Sequence, residues 1–187
     1  MDEKKNRKTT RLKGADYNDN VAIFLTICTK ERQCILSRIV GTGVLDCPQV
    51  QLTTYGEIAD KYMKQLSAYY DHISVEHYVI MPNHIHLLLH INENGQSRTP
   101  VPTTEKGKDI EKRLPTVPVN VERSNSVISK FISTFKRFCN KEYGMNIWQY
   151  RSNDHIIRDL ADYERHWNYI CENPIRWQLD ELYAGEE

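Results

Sequence analysis

Apolar residues along the chain fall into blocks whose period changes from block to block. Residues 21–29, VAIFLTICT, are an unbroken β-branched and aromatic run, which predicts a buried strand. Two weaker extended runs within 35–52 flank Gly41-Thr42-Gly43 and suggest a hairpin. Thr54-Tyr55-Gly56-Glu57 has the form of a capping box, so a helix is predicted from there to about Tyr70, with Ile58, Tyr62, Met63 and Leu66 as its inner stripe. A second core strand is predicted over 74–80. Met81-Pro82-Asn83 carries turn chemistry, and residues 84–91, HIHLLLHI, predict a third strand.

Residues 92–125 break the pattern. They hold Pro100, Pro102, Pro115 and Pro118, many polar residues and no sustained period, and read as an inserted loop. Val127, Ile128, Phe131, Phe135 and Phe138 then recur at helical spacing, predicting an amphipathic helix over 126–143 that ends at Gly144. Residues 154–158, DHIIR, suggest a short strand. Asp159 is placed to cap a last helix over 160–172, which stops before Pro174. The order β, α, β, β, α, β, α, with a tight turn between the middle strands, predicts an α+β fold. It is ferredoxin-like, a split βαβ antiparallel sheet with helices on one face, followed by a further C-terminal helix. One domain over 21–177 is expected, with an N-terminal arm at 1–20 and a C-terminal tail at 178–187.

Composition narrows the function. The chain has 187 residues, with 25 Lys+Arg against 25 Asp+Glu. That balance excludes wholesale electrostatic binding of nucleic acid but leaves local patches open. The arm is basic, through Lys4, Lys5, Arg7, Lys8, Arg11 and Lys13. The tail is acidic, through Asp180, Glu181, Glu186 and Glu187, and both read as solvated termini. No apolar run reaches membrane-spanning length and the N-terminus lacks an apolar signal core, so neither span nor signal peptide is expected. Five scattered cysteines without a C-x-x-C pair indicate neither a disulfide framework nor a cysteine zinc site, which suits a reducing cytoplasm.

Three features carry chemistry. On a strand, His84, His86, Leu88 and His90 share one face, and Ile85, Leu87, Leu89 and Ile91 the other. Histidines at i and i+2, about 7 Å apart along a strand, can lean onto one ion at about 2.1 Å from each nitrogen; His90 lies too far along to join. They read equally as ordinary half-exposed strand histidines. In the last helix, Tyr163, Trp167, Ile170 and Cys171 fall within about 50° of one direction and form the core stripe. Tyr169 lies about opposite, in a row with Arg165 and Asn173. In the 126–143 helix, Lys130, Arg137 and Lys141 lie off the apolar stripe and Lys136 borders it, which fits either phosphate contact or a plain solvated face.

Taken in order, Tyr78-Val79-Ile80-Met81-Pro82-Asn83-His84-Ile85-His86-Leu87-Leu88-Leu89, Ser133-Thr134-Phe135-Lys136-Arg137, Trp148-Gln149, Asp154-His155-Ile156-Ile157-Arg158 and Tyr169-Ile170-Cys171-Glu172-Asn173-Pro174 resemble the motifs of single-tyrosine HUH transposases. These are the REP-associated tyrosine transposases and related insertion-sequence transposases. The resemblance covers about 20–177 apart from the insertion. Trp148-Gln149-Tyr150-Arg151 departs from the Trp-Gln-Arg frequent in relatives, which makes Tyr150 a rival nucleophile without a row of polar helical partners.

The resemblance implies that Tyr169 is the nucleophile, with His84 and His86 catalytic through a divalent metal ion, Mg²⁺ or Mn²⁺. Asn173, one turn after Tyr169, is placed to supply a third ligand. It implies a single-stranded or hairpin DNA partner, cleaved and rejoined through a 5′-phosphotyrosyl intermediate. Lys130, Lys136, Arg137, Lys141 and Arg165, together with the basic arm at 4–13, are the candidate DNA contacts, and a homodimer is left open. The alternatives are a non-catalytic hairpin-binding protein of the same fold, and a histidine-triad enzyme, which Leu88 disfavours because that motif needs a third histidine there.

Overall fold

The structure, a computed structural model, describes residues 21–41, 48–91 and 124–183. The basic arm, the Thr42-Gly43 turn, nearly all of the 92–125 insertion, Cys47, Glu186 and Glu187 lie outside them. Strands β1 (Val21–Cys28), β4 (Ile73–Ile80), β5 (His84–Ile91) and β6 (Asn153–Ile156) form an antiparallel sheet in the order β4-β5-β1-β6. This is the split βαβ arrangement: β5 separates the parallel pair β1 and β4, which are joined through helix α1 (Thr54–Tyr69). Helix α2 (Ser124–Tyr143) precedes β6, and α3 (Leu160–Glu172) follows it. The hairpin strands β2 (Ser37–Val40) and β3 (Gln49–Leu52) pair separately.

Strand alternation sorts the two faces. Val21, Ile23, Leu25 and Ile27 of β1 and Ile85, Leu87, Leu89 and Ile91 of β5 join α1 and α2 in the main core. Phe131 and Phe135 of α2 are both fully buried there. Burying two such rings supplies roughly 1.5–3 kcal/mol each, whereas the Lys61–Glu142 pair between α1 and α2, at 2.7 Å, lies in solvent and adds little. Ile132 and Cys139 complete the stripe. Gly144, at φ 74°, ends α2 in the left-handed conformation that glycine adopts at least cost.

Helix α1 is capped one residue earlier than the capping-box reading. The Thr53 side chain accepts from the Gly56 N–H at 3.3 Å, and its hydroxyl donates to the Leu36 carbonyl at 2.9 Å. The inner stripe turns accordingly toward Gly56, Ala59, Met63 and Leu66. Tyr62 packs beside it, while Ile58, expected on the stripe, is only half-buried and outside the core cluster. The shift follows from Gly56: a Cβ there would collide with the Leu36 carbonyl oxygen.

The other sheet face is covered by α3, through Ala22, Leu88, Ile157, Tyr163 and Ile170 with Phe24, Val79 and Trp167 alongside. All eight residues of β5 are therefore buried. This corrects the picture of half-exposed histidines: they face away from α1 and α2, but under α3. Cys171 is also corrected, since it is exposed, with Sγ 3.3 Å from His77 Nε2. Among the described residues, no helix is long and apolar enough to cross a membrane.

Gly56→Ala is expected to cost about 2 kcal/mol or more, because α1 must separate from the Leu36 loop. Urea unfolding followed by circular dichroism measures it; an unchanged midpoint would mean that the loop yields freely.

Candidate active site

The turn before β5 sets the first histidine. The Met81 N–H donates to the His84 carbonyl at 2.8 Å, which closes the turn and brings Asn83 against the His84 ring. The Asn83 amide nitrogen donates to the Leu182 carbonyl at 2.7 Å, so its oxygen must accept. His84 Nδ1 therefore carries the proton in its 2.8 Å bond to Asn83, and Nε2 holds the lone pair. His86 Nδ1 pairs with the Thr26 hydroxyl at 2.9 Å across the β1–β5 ladder. The two rings lie 4.3 Å apart.

Both Nε2 atoms are buried without a hydrogen-bond partner among the described residues, and so is Asn173 Oδ1. Burial pushes the His84 imidazole down to about 4, against the opposing pull of the Asp180 carboxylate. It holds His86 well below the ordinary value too, with His84 and His166 adding to the effect. Two neutral imidazoles and an amide oxygen, all lacking partners, are atoms able to coordinate a cation; left unpaired, each buried orphan costs about 1–3 kcal/mol.

Tyr169 sits above this set. Its ring meets His86 edge-on at 5.0 Å and Phe24 at 5.9 Å, and it keeps 41% of its surface exposed. Its hydroxyl donates to Asp180 Oδ2 at 3.0 Å. Burial, and then the Asp180 carboxylate, hold the phenol above its ordinary range. Asn173, the C-cap of α3, donates to the same Asp180 oxygen at 2.7 Å. So the helical row of Tyr169 and Asn173 does reach the histidines, with Asn173 buried rather than on a solvated side.

Asp180 escaped the sequence reading, which left it in a solvated acidic tail. Residues 178–183 instead fold back. Trp177 is buried against the His84 ring, Arg32 donates to the Glu181 carbonyl at 3.0 Å, and the Leu182 N–H donates to Asp180 Oδ1 at 2.7 Å. Ligand atoms of His84, His86 and Asp180 lie within 4.8 Å of one another. The overlooked signal was Trp177 at the domain's last position, a large aromatic whose burial holds the residues after it against the fold.

The remaining candidates stay apart from this cluster. His90 is buried opposite Ala22, further along the ladder. Lys130, Arg137 and Lys141 are exposed on α2, which packs on the opposite sheet face, with the Arg137 guanidinium over the Phe138 ring. Lys136 is a clamp: its ammonium donates to the Gln149 carbonyl at 2.7 Å, and burial pushes it down to about 8. It lines a groove of about 750 Å³ with Arg137, Trp148 and Arg151. Tyr150, on that groove, is 97% exposed and makes none of the ring contacts that Tyr169 makes. Arg165 is exposed and pairs with Asp162 at 3.3 Å.

No family model matches the chain. A Haemophilus influenzae protein of uncharacterised function is 26% identical over 179 residues, 95% of this chain and 93% of that protein. The structure of a REP-associated tyrosine transposase bound to a REP hairpin superposes with a TM-score of 0.54 at 17% identity, covering 88% of this chain and 73% of that one. The chain thus has the α+β fold of a single-tyrosine transposase, the fold that its motifs resemble.

The pKa of His84 ties stability to pH. An imidazole that titrates at 6.5 when unfolded and about 4 when folded leaves stability intact above pH 6.5 and erodes it as pH falls toward 4. The loss attributable to His84 is about 3 kcal/mol at 1.36 kcal/mol per unit. Urea midpoints from pH 7 to 4 are expected to fall less steeply in His84→Gln; equal slopes would place the loss elsewhere.

Proposed function

We propose that this protein is a metal-dependent single-stranded DNA nicking and rejoining enzyme, a transposase, with Tyr169 as its nucleophile. The observation that carries the reading is the Tyr169 phenol standing on the His86 ring, above three buried ligand atoms that lack partners. The shared fold and the run of matching motifs support it. A non-catalytic hairpin-binding protein would leave those orphaned atoms unexplained.

His84 Nε2, His86 Nε2 and Asn173 Oδ1 would hold Mg²⁺ or Mn²⁺, with Asp180 alongside. Such an ion polarises a phosphate and offsets charge on its oxygens. The chain's own groups do the rest. Tyr169 Oη attacks the scissile phosphorus, and its proton passes to Asp180 Oδ2, which already accepts that hydrogen bond. The 3′-oxygen leaves, taking a proton from water, and yields a 5′-phosphotyrosyl strand and a free 3′-hydroxyl. Attack by a 3′-hydroxyl on the phosphotyrosine reverses the step and reseals the strand without an outside energy source. Phe24, packed on His86, His166 and Tyr169, holds the phenol ring in place. The substrate is a single strand beside a DNA hairpin, with the exposed cations of α2 and Arg165 as backbone contacts.

Tyr169→Phe keeps the ring and removes one oxygen. With hairpin-flanked single-stranded DNA and Mn²⁺, denaturing electrophoresis is expected to show no covalent adduct and no cleavage, with DNA binding retained. Tyr150→Phe is expected to keep the adduct, as is His90→Ala, while His84→Ala loses it. An adduct lost in Tyr150→Phe but kept in Tyr169→Phe would overturn the assignment. Cleavage by Tyr169→Phe without an adduct would indicate a hydrolase.

Arg137→Glu with Lys141→Glu is expected to weaken binding and to lower the salt slope by about 1.4–1.8, since each phosphate contact contributes roughly 0.7–0.9. An unchanged slope in a filter-binding titration would leave α2 merely solvated.

A further inference from the structure

A second convergence of ligand atoms lies beyond Phe24. His155 on β6, with Asp162 and His166 on α3, bring one ligand atom each within 4.8 Å of one another. His155 Nε2 is 2.9 Å from Asp162 Oδ2, and His166 Nδ1 is 3.3 Å from Asp162 Oδ1. The two imidazoles stack at 4.7 Å with 23° between their planes. The Asp162 side chain is 7% exposed, His166 18% and His155 35%, so the carboxylate is sunk and one edge of the cluster is open.

We propose that His155, Asp162 and His166 form a second metal site, for a divalent transition ion of the Zn²⁺ class. Ligands held about 2.1 Å from one ion stand about 3.0 Å apart at a right angle and about 3.4 Å apart at the tetrahedral angle. The observed 2.9 and 3.3 Å are close to those spacings and end on different oxygens of Asp162, so one ion would engage both carboxylate oxygens. Two imidazoles and one carboxylate are a donor set that favours Zn²⁺ and its neighbours over Mg²⁺, which prefers oxygen. The open edge at His155 leaves a path for entry and room for a water ligand.

The bland reading is an ion pair that fastens β6 to α3. One imidazole is enough for that. The cluster commits two stacked rings to one carboxylate, one to each oxygen, while the Arg158 N–H also serves Oδ2 at 3.1 Å and Arg165 approaches Oδ1 at 3.3 Å. His166 Nδ1 also reaches the Asp162 main-chain carbonyl at 2.8 Å, so on metal binding its proton moves to Nε2 and the ring stays neutral. The Phe24 ring stands 5.1 Å from His86 and 4.6 Å from His166, between the two clusters. Paired catalytic ions sit roughly 3.5–4 Å apart and share a phosphate. A phenyl ring between the clusters rules out that arrangement. The ion would instead clasp β6 to the first turns of the helix that carries Tyr169, a role independent of the transposase reading.

Isothermal titration with ZnCl₂ alone tests the site. The intact chain is expected to bind two Zn²⁺, and His155→Ala one. Zn²⁺ is expected to raise the melting temperature of His84→Ala/His86→Ala, and the rise is expected to vanish when His155→Ala is added. A stoichiometry unchanged by His155→Ala overturns the proposal, as does a single ion in the intact chain that only the His84 and His86 substitutions remove. Should the buried double variant fail to fold, the comparison of the intact chain with His155→Ala decides alone.

Discussion

Burial of β5 on both faces is the constraint from which the rest of the architecture follows. A strand that alternates Ile or Leu with His can satisfy one face against α1 and α2, but it leaves imidazoles on the other. Covering that face with α3 excludes water from the rings, and exclusion of water suppresses the imidazolium form. The cover thus keeps both imidazoles neutral, and the Asn83 bond leaves the His84 Nε2 lone pair facing inward. It also brings a tyrosine and an amide to the same place, because Tyr169 and Asn173 are one turn apart on the covering helix. Site and fold are not separable here: the helix that completes the second core is the helix that completes the donor set.

The same burial works against ionisation of Tyr169. A half-buried phenol that donates to a carboxylate resists ionisation. Asp180 has two possible allegiances, the Tyr169 hydroxyl on one side and the histidine cluster on the other. A positive charge among the ligand atoms would oppose the pull of the Asp180 carboxylate on the phenol and favour its ionisation.

Much of this was legible in the residues. Strand alternation over 84–91 sorted the two faces correctly, Asp159 marked the start of α3, and the helical angle of Tyr169 separated it from the stripe of Tyr163 and Ile170. What failed were the readings that needed long-range partners. Periodicity reports which residues share a face, not what lies upon it, so His84 and His86 read as half-exposed until α3 was placed. Thr53 lost to Thr54 because only the Leu36 carbonyl, far off in sequence, shows which threonine is held. Asp180 was hidden for the same reason: its value lies in Tyr169, Asn173 and the fold-back around Trp177. Lys136 carried a charge legible in the residues, but its bond to the Gln149 carbonyl depended on a loop that the sequence could not place.

The anchoring of α3 has a consequence for how such a chain can vary in length. Asp159 fixes the first turn by accepting from the Asp162 N–H at 2.8 Å, and Asp162 ties that turn to β6. Tyr169 comes ten positions after the cap. Each residue adds 100° of rotation, so the phenol can be over His86 or elsewhere, with no graded positions between. Insertions and deletions between Asp159 and Tyr169 are therefore quantised in their effect. One residue gained or lost swings the phenol off the histidines, and three or four approach a full turn but displace it by about 5 Å along the axis. Over evolutionary time this stretch should tolerate changes of residue far more readily than changes of number.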